Sequence, residues 1–174
     1  MLFTVTAGHD DKDPGAVAIS GETEAQLMLE LRHLVAAKLY EKGHQVRTDG
    51  SRWQNLPLIQ AMGLIPGSHA AIELHTNAFH DPRAGGVEVI SLPNHKLRAQ
   101  RLAASISNVL GIPLRGDRGW IDQSKSARGR LGFVNKNGMI VEVFFISNPS
   151  ELAAYKAKKW LVAEAIANAL INMN

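Results

Sequence analysis

At 174 residues, with 45% apolar and 20% charged residues, the chain has the size and balance of one globular domain that buries its core without disulfide staples. It has no cysteine, which excludes disulfide frameworks, cysteine nucleophiles and thiolate metal sites, so any metal must be held by imidazole and carboxylate. No stretch approaches the roughly 18 uninterrupted apolar residues of a membrane span, and the net charge of +3 favours polyanions without choosing among nucleic acid, membrane and wall polymers.

Met1 to Val5 carries no basic segment ahead of an apolar run, and His9-Asp10-Asp11 interrupts any hydrophobic region, so no export signal is expected. Phe3-Thr4-Val5-Thr6 alternates as a short strand and breaks at Ala7-Gly8 into a loop carrying His9. From Thr23 to about Tyr40, Leu27, Leu31, Leu34, Val35 and Leu39 recur with helical spacing. Thr23 and Gln26 form a capping box at the start, and Gly43 punctuates the end. Glu24 therefore falls in the first helical turn. His44 to Thr48 predicts a strand, Leu56 to Met62 a weak helix, and Ala70 to Leu74 an apolar strand that ends at His75. Gly86 to Ile90 predicts another strand, and Leu97 to Leu110 a helix closed by Gly111. Residues 114–133 lack periodicity and read mostly as an exposed loop able to flank a site. Met139 to Ile146 predicts a buried strand and Ser150 to Ile171 a final helix. Strands alternating with helices predict a single α/β domain over residues 1–174, with a largely parallel or mixed sheet and helices on both faces.

Glu142 is the strongest local violation of that pattern, because an unpaired charge in the run Ile140-Val141-Glu142-Val143-Phe144 costs several kcal/mol on burial. Either it faces outward or pairs with an arginine, or it serves chemistry. His9 and His75 sit where two strands run out, which in open α/β sheets is where ligands bind. Two histidines delivered there can share one zinc ion, with a carboxylate as third ligand and a fourth position left for water. Glu24 is placed to be that carboxylate, although Glu22 lies only two residues away. His33, His44, His69 and His95 read as structural or solvated, and His80 is the nearest rival ligand or a substrate contact. Lys156, Lys158 and Lys159 beside Trp160 read as the solvated face of a core-packing helix, with adhesion to an anionic surface as the alternative.

These residues occur in an order that resembles the zinc-dependent N-acetylmuramoyl-L-alanine amidases of the Amidase_3 type. The resemblance runs through Gly8-His9, Asp13-Pro14-Gly15-Ala16, Gly21 to Glu24, Leu74-His75-Thr76-Asn77-Ala78, Asp117-Arg118-Gly119 and Ile140 to Pro149, covering nearly the whole chain. It implies a mixed six-stranded sheet flanked by helices, one zinc ion held by His9, Glu24 and His75, Glu142 as catalytic glutamate, and Asn77 in the segment lining the cleft. The implied reaction is hydrolysis of the amide between N-acetylmuramic acid and L-alanine in peptidoglycan.

Two departures stand out: Asp10-Asp11 replaces the glycine pair that usually follows the first histidine, and Glu73 replaces the serine often found two positions before the second. A compact form without export signal or separate wall-binding domain is similar to phage endolysins of Gram-negative hosts. That similarity implies synthesis in the host cytoplasm and action in the periplasm after membrane permeabilisation. Peptidoglycan is the expected partner of a monomer with no nucleic-acid binding and no stable membrane insertion. Another zinc peptidase of similar topology and a non-catalytic wall-binding module are the rival readings.

Overall fold

The computed structural model describes residues 1–10, 12–51, 54–126 and 129–173. Asp11, the second residue of the Asp10-Asp11 departure, and residues 127–128 of the predicted loop lie outside these. Six strands form one sheet: β1 (Leu2–Ala7), β2 (Gln45–Thr48), β3 (Ala70–Asn77), β4 (Glu88–Ser91), β5 (Trp120–Asp122) and β6 (Met139–Phe145). Their order is β2-β1-β3-β6-β4-β5, and every pairing is parallel except β4 with β6. The most apolar strands, β1, β3 and β6, lie in the middle of the sheet. The polar β2 takes one edge, where alternate side chains meet solvent.

Three long helices, α1 (Glu24–Glu41), α3 (Lys96–Leu110) and α5 (Pro149–Ile171), cover one face of the sheet. Alternate strand residues Phe3, Val5, Ile72, Leu74, Val141 and Val143 meet Met28, Leu31, Leu102, Ile106 and Ile166 there in the main core. The opposite face is only partly roofed by the short helices α2 (Leu58–Gly63) and α4 (Gly132–Asn135), where Ala71, Ile90 and Ile140 pack against Phe133 and Val134. By the same alternation Glu73, His75 and Glu142 point to this second face.

Thr23 caps α1 as predicted, its hydroxyl accepting from Gln26 N at 3.2 Å while the Gln26 side chain accepts from Thr23 N. Asn148 caps α5, with Pro149 at its first position. Lys156 pairs with Glu22, Lys159 with Glu30 at 2.5 Å, and Lys158 donates to Val109 O at 2.9 Å. The basic stretch therefore stitches α5 to its neighbours. The expected loop over 114–133 contains β5 and the start of α4, and β5 is too short at three residues to show a period in sequence. The strand expected at Gly86 begins at Glu88, and the weak second helix begins at Leu58 rather than Leu56.

Arg32 of α1 is completely buried and donates to Asp49 Oδ1 and Asn55 Oδ1, each at 2.7 Å, and to Gln54 O at 3.1 Å. Asp49 accepts in turn from Ala7 N at 3.3 Å, so this pair clamps the end of β1 and the 49–55 loop to α1. Replacing Asp49 by Ala leaves the guanidinium buried without its counter-charge. Unfolding free energy is expected to fall by about 3–5 kcal/mol, measured as a lower urea midpoint at unchanged slope.

Candidate metal centre

Three elements deliver three side chains to one point at the carboxyl edge of the sheet. β1 ends at Ala7, Gly8 N still donates to Leu74 O at 2.8 Å, and His9 then turns the chain with a left-handed φ of 65°. That conformation is costly for a residue with a side chain and persists where surrounding contacts impose it. The imposing contacts are visible: Asp10 and Asp13 exchange backbone hydrogen bonds, Asp10 Oδ1 accepts from Lys12 N and Asp13 N, and Asp13 Oδ2 lies 3.0 Å from His9 Nδ1.

Glu24, the first residue of α1, is 3% exposed and uses both oxygens. Oε1 accepts from Thr76 N at 2.9 Å and faces His75 Nδ1 at 3.0 Å; Oε2 accepts from Ala16 N at 3.1 Å and lies 3.2 Å from His9 Nε2. Glu22, two residues earlier, turns away to Ser20 and Lys156, whose hydrogen bonds hold its carboxyl down to about 2. Helix register thus separates the two glutamates that sequence spacing left open.

His75 sits in β3 opposite Glu142 of β6, just before a register shift between residues 75 and 77. Its Nε2 faces Glu73 Oε2 at 3.1 Å. One ligand atom from each of His9, Glu24 and His75 falls within 4.8 Å of the others, and this is the one such group among the described residues. The two imidazole rings meet edge to face with centroids 5.3 Å apart.

The donor set suits a divalent cation. Burial works against charge on Glu24, yet His75 and His9 outweigh it and hold the carboxyl well below the usual carboxylate range. Burial likewise works against an imidazolium at His75, but Glu24, Glu73 and the charge of Glu142 push it up to about 10. His9 is raised chiefly by Glu24. The cluster therefore stabilises positive charge strongly, which a metal dication supplies in place of protons. His9 Nε2 supports this fit. It is buried without a hydrogen-bond partner of its own and lies 3.2 Å from Glu24 Oε2 within the cluster.

Two glycines make the room. A Cβ on Gly8 would lie 2.0 Å from His75 Cε1, and one on Gly15, which has φ 68°, would lie 2.6 Å from Glu24 Oε2 and 2.7 Å from His9 Cδ2.

Glu142 is the one partly exposed residue in the otherwise buried β6, and it lines a cleft of about 780 Å³ together with His9, Glu24, His75 and Asn77. Antiparallel β4 places Glu88 directly opposite Glu142, so a histidine and two carboxylates form one row across three strands. Glu88 accepts from Asn77 Nδ2 at 3.1 Å and from Arg115 Nε at 2.7 Å, and Arg115 also stacks over Phe145. Asn77 Oδ1 accepts from Ala78 N at 2.9 Å, which fixes the orientation of its amide.

Glu88 and Arg115 are not among the site residues expected from the sequence. Glu88 carries the same signal that exposed Glu142, a carboxylate inside an apolar strand. His80 lies outside the cluster, its ring tilted over Phe79 with centroids 4.1 Å apart, and lines a neighbouring apolar cavity with Val17 and Ile19.

The family model for N-acetylmuramoyl-L-alanine amidases of the Amidase_3 type matches residues 4–172. Among solved structures, a protein described as an N-acetylmuramoyl-L-alanine amidase from Neisseria meningitidis superposes with a TM-score of 0.89 at 40% identity, covering 97% of this chain and 92% of that one. The catalytic domain of the amidase CwlV from Bacillus (Paenibacillus) polymyxa var. colistinus gives 0.82 at 22% identity, over 97% and 94%. The catalytic domain of an endolysin targeting Clostridium difficile gives 0.73 at 23% identity, over 99% and 97%. The latter two likenesses speak for the fold alone. No curated protein sequence matches the chain.

Substituting Gly8 by Ala is expected to push the His75 ring out of the cluster while leaving the circular dichroism spectrum native. Affinity for a divalent metal ion should drop by roughly 10–100-fold, the scale on which lost ligand orientation is felt, in titrations against a chromophoric chelator.

Proposed function

The chain belongs to the N-acetylmuramoyl-L-alanine amidase family, whose substrate is peptidoglycan, and from that premise we propose that it performs this hydrolysis with one zinc ion held by His9, Glu24 and His75. The observation that carries the reading is the convergence of those three ligand atoms within 4.8 Å on a cleft that Glu142 also lines. Zinc, when bound at such a site, supplies Lewis acidity that activates water and polarises a carbonyl.

Glu142 acts as the proton carrier. Facing the cleft beside His75, its carboxylate takes a proton from the attacking water and returns it to the L-alanine nitrogen as the C–N bond to the lactyl carbonyl breaks. Glu88 and Arg115 are second to it: their ion pair beside Glu142 supplies a fixed charge arrangement and holds Asn77, which we assign to substrate contact along the cleft wall.

Zinc removal by a chelator is expected to abolish hydrolysis of purified peptidoglycan, with recovery on adding one equivalent of zinc. Glu142→Ala should retain zinc and lose at least about a hundredfold in rate, the lower range for a general acid–base residue; undiminished turnover in that variant would remove Glu142 from the mechanism. Digestion products separate this reading from a zinc peptidase of similar topology. Intact stem peptides with a free L-alanine amino terminus are expected, whereas shortened peptides indicate the peptidase.

A part in host-cell lysis, with action in the periplasm after membrane permeabilisation, extends the proposal and rests on the sequence resemblance. Among the described residues no helix is long and apolar enough to cross a membrane. Expressed inside a Gram-negative host, the chain should lyse cells only when the inner membrane is opened, followed by culture turbidity.

A further inference from the structure

Glu73 and His75 stand two residues apart on β3, so their side chains share one face of the sheet. The Glu73 side chain is 7% exposed, and its Oε2 lies 3.1 Å from His75 Nε2. It also walls a small cavity of about 230 Å³ in which Leu56, Pro57 and Phe133 meet His9, Asp10 and Asp13, and its own burial leaves its hydrogen bond to the ring little screened by solvent. On the other side of the same ring, Nδ1 points at Glu24 Oε1 at 3.0 Å, and the ring lies against the backbone of Gly8.

An imidazole that donates Nε2–H to a carboxylate keeps its lone pair on Nδ1. We propose that Glu73 is a positioning residue that locks His75 in the Nε2–H tautomer and fixes the orientation of its ring, with Nδ1 presented to the metal. This rests on the reading of His75 as a zinc ligand. The companion histidine is held differently. Asp13, which faces His9 Nδ1 at 3.0 Å, is 69% exposed, so solvent screens that contact.

The test is zinc affinity by competition with a chromophoric chelator, combined with long-range nitrogen–proton NMR of the histidine rings in zinc-loaded protein. Glu73→Ala is expected to weaken zinc binding by roughly 10–100-fold and to shift the His75 ring signals away from the Nε2–H, Nδ1-bound pattern of the wild type. Glu73→Gln keeps an acceptor oxygen but no charge, and should retain the tautomer with a several-fold loss of affinity. Asp13→Ala should cost less than Glu73→Ala.

Unchanged zinc affinity and unchanged His75 ring signals in both Glu73 variants would overturn the proposal. If Glu73→Ala does not fold, Glu73→Gln decides alone: weaker binding with native circular dichroism supports the assignment, and wild-type affinity overturns it. His75→Ala serves as the reference. Should it bind zinc like the wild type, the metal-centre reading itself fails, which is distinguishable from failure of the Glu73 assignment.

Discussion

The carboxylate of Glu24 is the constraint on which the rest of the structure depends. Its two oxygens face two histidines and accept from two backbone amides, and those four groups come from the loop after β1, the loop before α1 and the end of β3. A carboxylate 3% exposed is tolerable only with such company, since hydrogen bonds to a charged group contribute about 1.5–3 kcal/mol each and an unpaired buried charge costs more than that. The capping box at Thr23 sets where α1 begins and so points Glu24 inward, while Glu22 remains outside with Lys156. A local helix signal thereby decides a long-range arrangement.

Around that carboxylate the fold is organised by what it leaves uncovered. The three long helices bury one sheet face completely, and the two short helices roof only part of the other. The part left open carries His75, Glu142 and Glu88 on three adjacent strands, while Glu73 lies buried beside Phe133. Reversing β4 brings the beginning of that strand, rather than its end, beside Glu142. Its first residue therefore becomes the anchor for Asn77 and Arg115. Glycines at positions 8 and 15 complete the arrangement because the rings and carboxylate occupy the space their side chains would need.

Much of this was legible along the chain. Five strands, three long helices and the cap of α1 follow from periodicity and punctuation, and the absence of cysteine restricts a metal to histidine and carboxylate. Glu142 declared itself as a charge in an apolar strand. Glu88 and Glu73 carried that signal more faintly, because their strands are shorter or less uniformly apolar and a charge there is easily read as surface. β5 was not legible. A three-residue edge strand has no period, and it exists because β4 offers it unpaired backbone groups.

What the sequence by itself determined was the set of chemistry-bearing residue types and the local elements that carry them, since caps, turns and hydrophobic period act over a few residues. Only the tertiary structure decided which of them meet. The choice of Glu24 over Glu22, the left-handed turn at His9, the opposition of Glu142 to His75 and Glu88, and the hold of Glu73 on His75 all depend on strand order and register. Those are set by packing between segments dozens of residues apart, where no local preference reaches.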